Sequence, residues 1–285
     1  MSKDTNFSAF TLNIRKNIFE FHRPVVMGIL NLTPDSFYDG GRYTDIDSAL
    51  LRATQLLADG ADILDLGAAS SRPGATLPST EVEIERLLPV ITQIRRHHPD
   101  AIISVDTCNA QTADAAISAG ADIINDISGG TFDPQMFPTI AERQVPYILM
   151  HTTGRPDDMQ ENCSYSDIIQ DLILFFSSRL NQLYSLGVKD VVIDPGFGFG
   201  KTLDQNFELL NRLSELTSAF VEPLLVGVSR KSMIYRTLSV TPDLSLNGTT
   251  VINTQALLSG ARILRVHDAR PAREAISLLF REAVV

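Results

Sequence analysis

Cysteine is nearly absent from this chain: Cys108 and Cys163 are the only two, and no Cys-x-x-Cys pair occurs. That excludes a disulfide framework and a cysteine zinc site, leaving two free thiols of the kind a reducing cytosol maintains. Positive charge is also scarce. With 24 Lys and Arg against 34 Asp and Glu, the net charge is −10 and the isoelectric point near 4.9. A nucleic-acid surface needs a dense basic footprint and is excluded; local basic sites for a small anion are not. No apolar run reaches the roughly 18 residues of a membrane span, and the polar start MSKDTNFSAF has no signal-peptide core. A soluble, cytoplasmic protein is therefore expected. Metal signatures are missing too. There is no His-Glu-x-x-His and no EF-hand, and His97 and His98 stand before Pro99 at the end of a helical stretch, where a solvated face is the expectation.

What the chain does have is apolar material, 44% of its 285 residues, arranged in a weak repeat. ADGADILDLG (58–67), SAGADIINDIS (118–128), SLGVKDVVIDPG (185–196) and LSGARILRVHD (258–268) each read as a helix end, a capping glycine (Gly60, Gly120, Gly187, Gly260) and a short buried strand. VVMGIL (25–30), AIISVD (101–106), PYILMH (146–151) and PLLVGVS (223–229) are four more strands of the same kind. Helix-periodic segments lie between them. Eight buried strands alternating with helices predict an α/β fold, a (β/α)8 TIM barrel in one domain over 1–285, with a doubly wound open sheet as the alternative. The alternating stretch LNIRKNIFEF predicts an N-terminal β-hairpin, turning at Lys16 and Asn17, that closes the barrel's lower end.

IDPGFGFGKT (193–202) looks like a phosphate loop and is not one. The first glycine of G-x-x-x-x-G-K-[ST] falls on Pro195, which has no N–H to offer, and the third glycine of G-x-G-x-x-G falls on Lys201. What remains is Asp194 at a strand end, a flexible turn, and Phe197 and Phe199 where loops are usually polar. Nearly every predicted strand ends in polar residues, and in a barrel those ends converge on the face that carries active sites. Asp106, Asn125 and Asp194 suit a heterocycle with adjacent N–H donors. Lys231, Arg265 and His267 suit an anion such as phosphate or pyrophosphate, and Phe199 offers a ring face. Asn31 has an oxygen for Mg²⁺, which takes few protein ligands when it also binds substrate phosphates. Covalent catalysis has weaker support: GVSRK lacks the second glycine of a nucleophile elbow, and Cys108 has no neighbouring histidine. A Schiff base on Lys231 stays open.

With MGILNLTPDSF (27–37), SSRPGA (70–75), SVDT (104–107), IND (124–126), DPGFGFGK (194–201), VGVSRKSMI (226–234) and RVHD (265–268) in that order, the chain resembles the dihydropteroate synthase family over residues 25 to 280. The resemblance implies a transferase of folate synthesis that joins 6-hydroxymethyl-7,8-dihydropterin pyrophosphate to 4-aminobenzoate with loss of pyrophosphate. It implies that Asp106, Asn125, Ile127, Met150, Asp194, Phe199 and Lys231 hold the pterin. Asn31, Ser71, Arg265 and His267 would hold pyrophosphate, with Mg²⁺ on Asn31. Ser71, Arg72, Pro73, Phe199, Lys231 and Ser232 would line the aminobenzoate site, and Asp35, Lys231, Arg265 and His267 would serve the chemistry. A homodimer is also implied. Two departures stand out: the family's G-G-E-S-T-R-P-G loop has Ala69 for Glu and Ser71 for Thr, and the Met common after His151 is missing. The rival readings are a pterin-binding methyltransferase domain and a non-catalytic pterin-binding homologue; Ala69 is the one residue that supports the latter.

Overall fold

A computed structural model of the chain describes residues 7–32, 42–69, 74 and 76–280. Strands β1 (Phe10–Ile14) and β2 (Asn17–Phe21) pair antiparallel. Eight parallel strands follow: β3 (Val25–Asn31), β4 (Ile63–Gly67), β5 (Ile102–Asp106), β6 (Ile123–Asp126), β7 (Tyr147–Met150), β8 (Val191–Asp194), β9 (Leu225–Val226) and β10 (Ile263–Val266). Between and after them run α1 (Arg42–Ala58), α2 (Thr80–His97), α3 (Ala110–Ala119), α4 (Met136–Arg143), α5 (Ile168–Ser185), α6 (Leu203–Asn211) with α7 (Leu213–Ala219), α8 (Ser232–Tyr235) with α9 (Leu246–Leu258), and α10 (Ala269–Phe280). The sheet order is β8-β7-β6-β5-β4-β3-β10-β9, and a parallel bridge between Ile193 and Leu224 joins its two ends. The result is a (β/α)8 barrel, which rules out the open sheet.

Period-2 alternation explains why the barrel has a dry end and a polar end. One inward residue of each of seven strands, Ile63, Ile102, Ile123, Ile148, Val192, Leu225 and Ile263, joins Val25 and Met27 in an apolar layer. Two residues further on, the same inward faces carry Asp65, Ser104, Asn125, Met150, Asp194, Gly227 and Arg265. The outward residues, among them Leu64, Leu66, Ile103 and Val105, pack against the helices.

Phe10, Leu12 and Ile14 of the hairpin are buried against the apolar layer and plug the lower mouth. The turn itself differs from expectation: Arg15 and Lys16 are its two residues, with φ of 52° and 64°, and Asn17 already pairs with Ile14. Positive φ at both positions is the type I′ turn, whose twist matches that of the strands, here without the usual Asn-Gly. Arg15 is anchored by donating to the carbonyls of Pro99 (2.8 Å) and Asp100 (3.3 Å) and pairing with Asp122 (3.2 Å). Strand β9 is also shorter than PLLVGVS suggests. The carbonyl of Val228 turns to accept from the Lys231 N–H (3.1 Å), bending the chain out of the ladder.

Candidate active site

Register places the polar strand ends side by side. Asn31 pairs with Gly67, Gly67 with Asp106 and Asp106 with Asn125 across β3 to β6. A Cβ on Gly67 would lie 3.6 Å from the Asp106 Cβ and 3.9 Å from the Asn31 Oδ1, so those two side chains flank one gap. Beneath them lies Asp65, fully buried, which the strand-end reading passed over. Its Oδ1 accepts from Ser104 Oγ (2.7 Å), and its Oδ2 accepts from Asn125 Nδ2 (3.1 Å) and Arg265 Nε (2.6 Å). Arg265 Nη2 donates to Asp106 Oδ2 (2.7 Å), so the guanidinium is held between two carboxylates. Burial alone would lower the Arg265 pKa; Asp65 and Asp106 more than reverse that, and the group stays charged. Burial pushes the Asp106 carboxyl up to about 7 against the pull of Arg265.

Asp194 ends β8 and is also raised by burial, with Lys231 and the Gly196 N–H opposing. That N–H donates to Asp194 Oδ1 (2.8 Å). Gly196 makes this possible: its φ is 69°, and a Cβ there would collide with the His151 carbonyl. The turn is pinned by Lys201. Lys201 is 3% exposed, and its Nζ donates to the carbonyls of Gly196 (3.0 Å) and Phe199 (3.1 Å) and lies 3.1 Å from His151 Nδ1. Burial lowers Lys201 to about 7 and His151 to about 2, which makes the neutral imidazole the acceptor. Phe197 is core.

Phe199, nearly buried, packs with Ile127, Met150 and Met159 as an apolar wall. Met159 has no strand or motif to announce it. Lys231 Nζ donates to the Phe197 carbonyl (2.6 Å) and sits 4.6 Å from the Phe199 ring centre. Burial lowers it to about 8, with Asp194 opposing. A Cβ on Gly227 would be 3.7 Å from the Arg265 Cβ and 3.9 Å from Lys231 Nζ, which puts the two cations on either side of that glycine. Ser232 is the first residue of α8, half-buried.

On the anion side, His267 Nδ1 lies 3.1 Å from Ser229 Oγ. Burial, then Arg265 and Arg230, lower His267 to about 4, so it is a neutral imidazole at neutral pH. Arg230 is itself occupied by Asp268 (2.9 and 3.0 Å) and Asp243 (3.1 Å). Asp35, Ser71, Arg72 and Pro73 lie outside the described residues. Among the described residues, no group of three or more His, Cys, Asp or Glu side chains could hold a metal ion, and no helix is long and apolar enough to cross a membrane.

The sequence profile of the family described as pterin binding enzyme matches residues 27–267. The chain is 42% identical over 261 residues to the dihydropteroate synthase of Synechocystis sp., covering 90% of each. The crystal structure of the Yersinia pestis dihydropteroate synthase with a sulfonamide drug complex superposes with a TM-score of 0.87 at 39% identity, covering 95% of this chain and 97% of that one. That of the Xanthomonas albilineans dihydropteroate synthase with 4-aminobenzoic acid gives 0.89 at 34%, covering 98% and 100%.

Proposed function

Since the chain belongs to the dihydropteroate synthase family of pterin binding enzymes, we propose that it condenses 6-hydroxymethyl-7,8-dihydropterin pyrophosphate with 4-aminobenzoate, giving 7,8-dihydropteroate and pyrophosphate. The observation that carries this reading is the meeting, at one barrel mouth, of the acceptors Asp106, Asn125 and Asp194 with the cations Lys231 and Arg265. Ring N–H donors would offset the burial that raises the pKa of both carboxylates. Ile127, Met150 and Phe199 would pack on the ring.

The C–O bond to pyrophosphate breaks, leaving charge on the departing oxygen and on the pterin methylene; the arylamine nitrogen then attacks that carbon and its surplus proton goes to solvent. Arg265 is fixed before the reaction by Asp65 and Asp106, so its donors need no reorganisation to meet the leaving group. His267, neutral, adds a hydrogen bond there. Asp35 would stabilise the cationic methylene, and Ser71, Arg72, Pro73, Phe199, Lys231 and Ser232 would line the arylamine site. One exposed amide oxygen on Asn31 beside Asp106 suits Mg²⁺, which would take its other oxygens from water and pyrophosphate and neutralise the leaving group. Lys231 is already hydrogen-bonded to a carbonyl, which favours a charged donor over a Schiff base.

Purified protein given both substrates and Mg²⁺ should release pyrophosphate and dihydropteroate. Pterin binding without product would favour the non-catalytic homologue, and methyl transfer from a folate the methyltransferase. The reading includes a single-domain, cytoplasmic protein that forms a homodimer, and sedimentation tests the last of these.

A further inference from the structure

The segment Thr152 to Asp167 joins β7 to α5 without a helix or strand of its own, and connections of that length in compact domains are usually functional. It is nonetheless firmly held. Thr153 Oγ1 donates to the Met159 carbonyl (3.1 Å), Gln160 Nε2 to the Gly198 carbonyl (2.9 Å), and Tyr165 Oη to the Gly200 carbonyl (2.8 Å). On its other side, Gly74, which directly follows Ser71, Arg72 and Pro73 in the sequence, donates its N–H to the Pro156 carbonyl (2.8 Å). Met159, 1% exposed, belongs to the same small buried cluster as Phe199. One segment thus ties the Phe199 turn to Gly74.

We infer that Met159 and Gln160 are positioning residues: they fix Phe199 and its turn, and so set affinity for the arylamine substrate. This rests on the dihydropteroate synthase reading. The pterin side is built differently, since Asp106, Asn125 and Asp194 are placed by strands and by bonds to Asp65 and Gly196 that do not pass through Met159 or Gln160. Removing the Met159 thioether opens a gap in the cluster that includes the Phe199 ring, and a Gln160→Glu side chain keeps its size but has no N–H for the Gly198 carbonyl.

The experiment measures KM for each substrate, kcat, and direct calorimetric binding of 4-aminobenzoate, for the wild type, Met159→Ala, Met159→Leu and Gln160→Glu. Met159→Ala should raise KM and Kd for 4-aminobenzoate about tenfold, the scale of a lost apolar contact in a pocket. Gln160→Glu should raise them severalfold. KM for the pterin pyrophosphate should rise clearly less, by about threefold at most, because Phe199 is only one of the groups that hold that ring; kcat should stay within about twofold, and Met159→Leu should keep wild-type values. Unchanged 4-aminobenzoate affinity, or equal loss for both substrates, would overturn the inference. A wild type that binds 4-aminobenzoate without turnover would instead sink the functional reading, and the Kd comparison would still decide the roles of Met159 and Gln160.

Discussion

Replacing Asp65 tests the polar layer most directly, because this carboxylate reaches no solvent yet organises three neighbours. In Asp65→Asn one oxygen remains, and the amide can rotate so that this oxygen still faces Arg265 and Asn125 while its NH₂ meets Ser104, whose hydroxyl can accept. The shape survives and the charge does not. What is lost is a charge-assisted bond of 2.6 Å, worth roughly 1.5–3 kcal/mol. Asp65→Leu removes every acceptor and leaves the guanidinium compensated by Asp106 alone, a broken buried pair costing about 3–5 kcal/mol. Urea unfolding followed by circular dichroism should rank wild type above Asn above Leu with those spacings. In turnover assays Asp65→Asn should lower kcat about 10- to 100-fold, the scale of losing an electrostatic stabiliser's alignment. A double-mutant cycle with Arg265→Met should give a coupling of at least about 1.5 kcal/mol. If Asp65→Asn unfolds within about 0.5 kcal/mol of wild type and keeps its kcat, Asp65 does not hold Arg265 for the reaction.

Three further outcomes follow from the same geometry. Turnover should need Asp106 ionised and Lys231 charged; with those groups at about 7 and about 8, kcat/KM for the pterin should fall on either side of a narrow optimum, and Lys231→Arg should remove the alkaline limb. Lys201 sits at about 7 when folded, below its ordinary 10.5. Between those values the unfolded chain binds more protons, so stability should rise with pH across that window; Lys201→Met should flatten the rise in urea midpoints. Gly196→Ala combines a positive φ with a collision at the His151 carbonyl, and should cost about 3 kcal/mol or more; a loss under 1 kcal/mol would mean the turn yields.

The barrel was legible because every strand is a short apolar burst and four of them, β4, β6, β8 and β10, follow a helix-capping glycine; Gly120, for example, takes φ 115° at its helix end. The strand-end residues were legible for the same reason, since polarity starts where the apolar run stops. Asp65 was not. It lies between Leu64 and Leu66 inside a strand, and only the two-residue step from Ile63 shows that it points inward. Met159 and Gln160 owe their importance to contacts with residues some 40 positions away, and no periodicity records that. The hairpin turn was misplaced by one residue because Arg15 and Lys16 are unusual occupants of left-handed backbone, and Arg15 is kept there by partners 84 and more positions distant.

The hairpin has a kinetic consequence as well. With Phe10, Leu12 and Ile14 stopping the lower end, the barrel is a blind well with one opening, so whatever binds against Asp65's layer must enter before anything seated nearer the rim. Both substrates and both products of the proposed reaction would then share that one doorway.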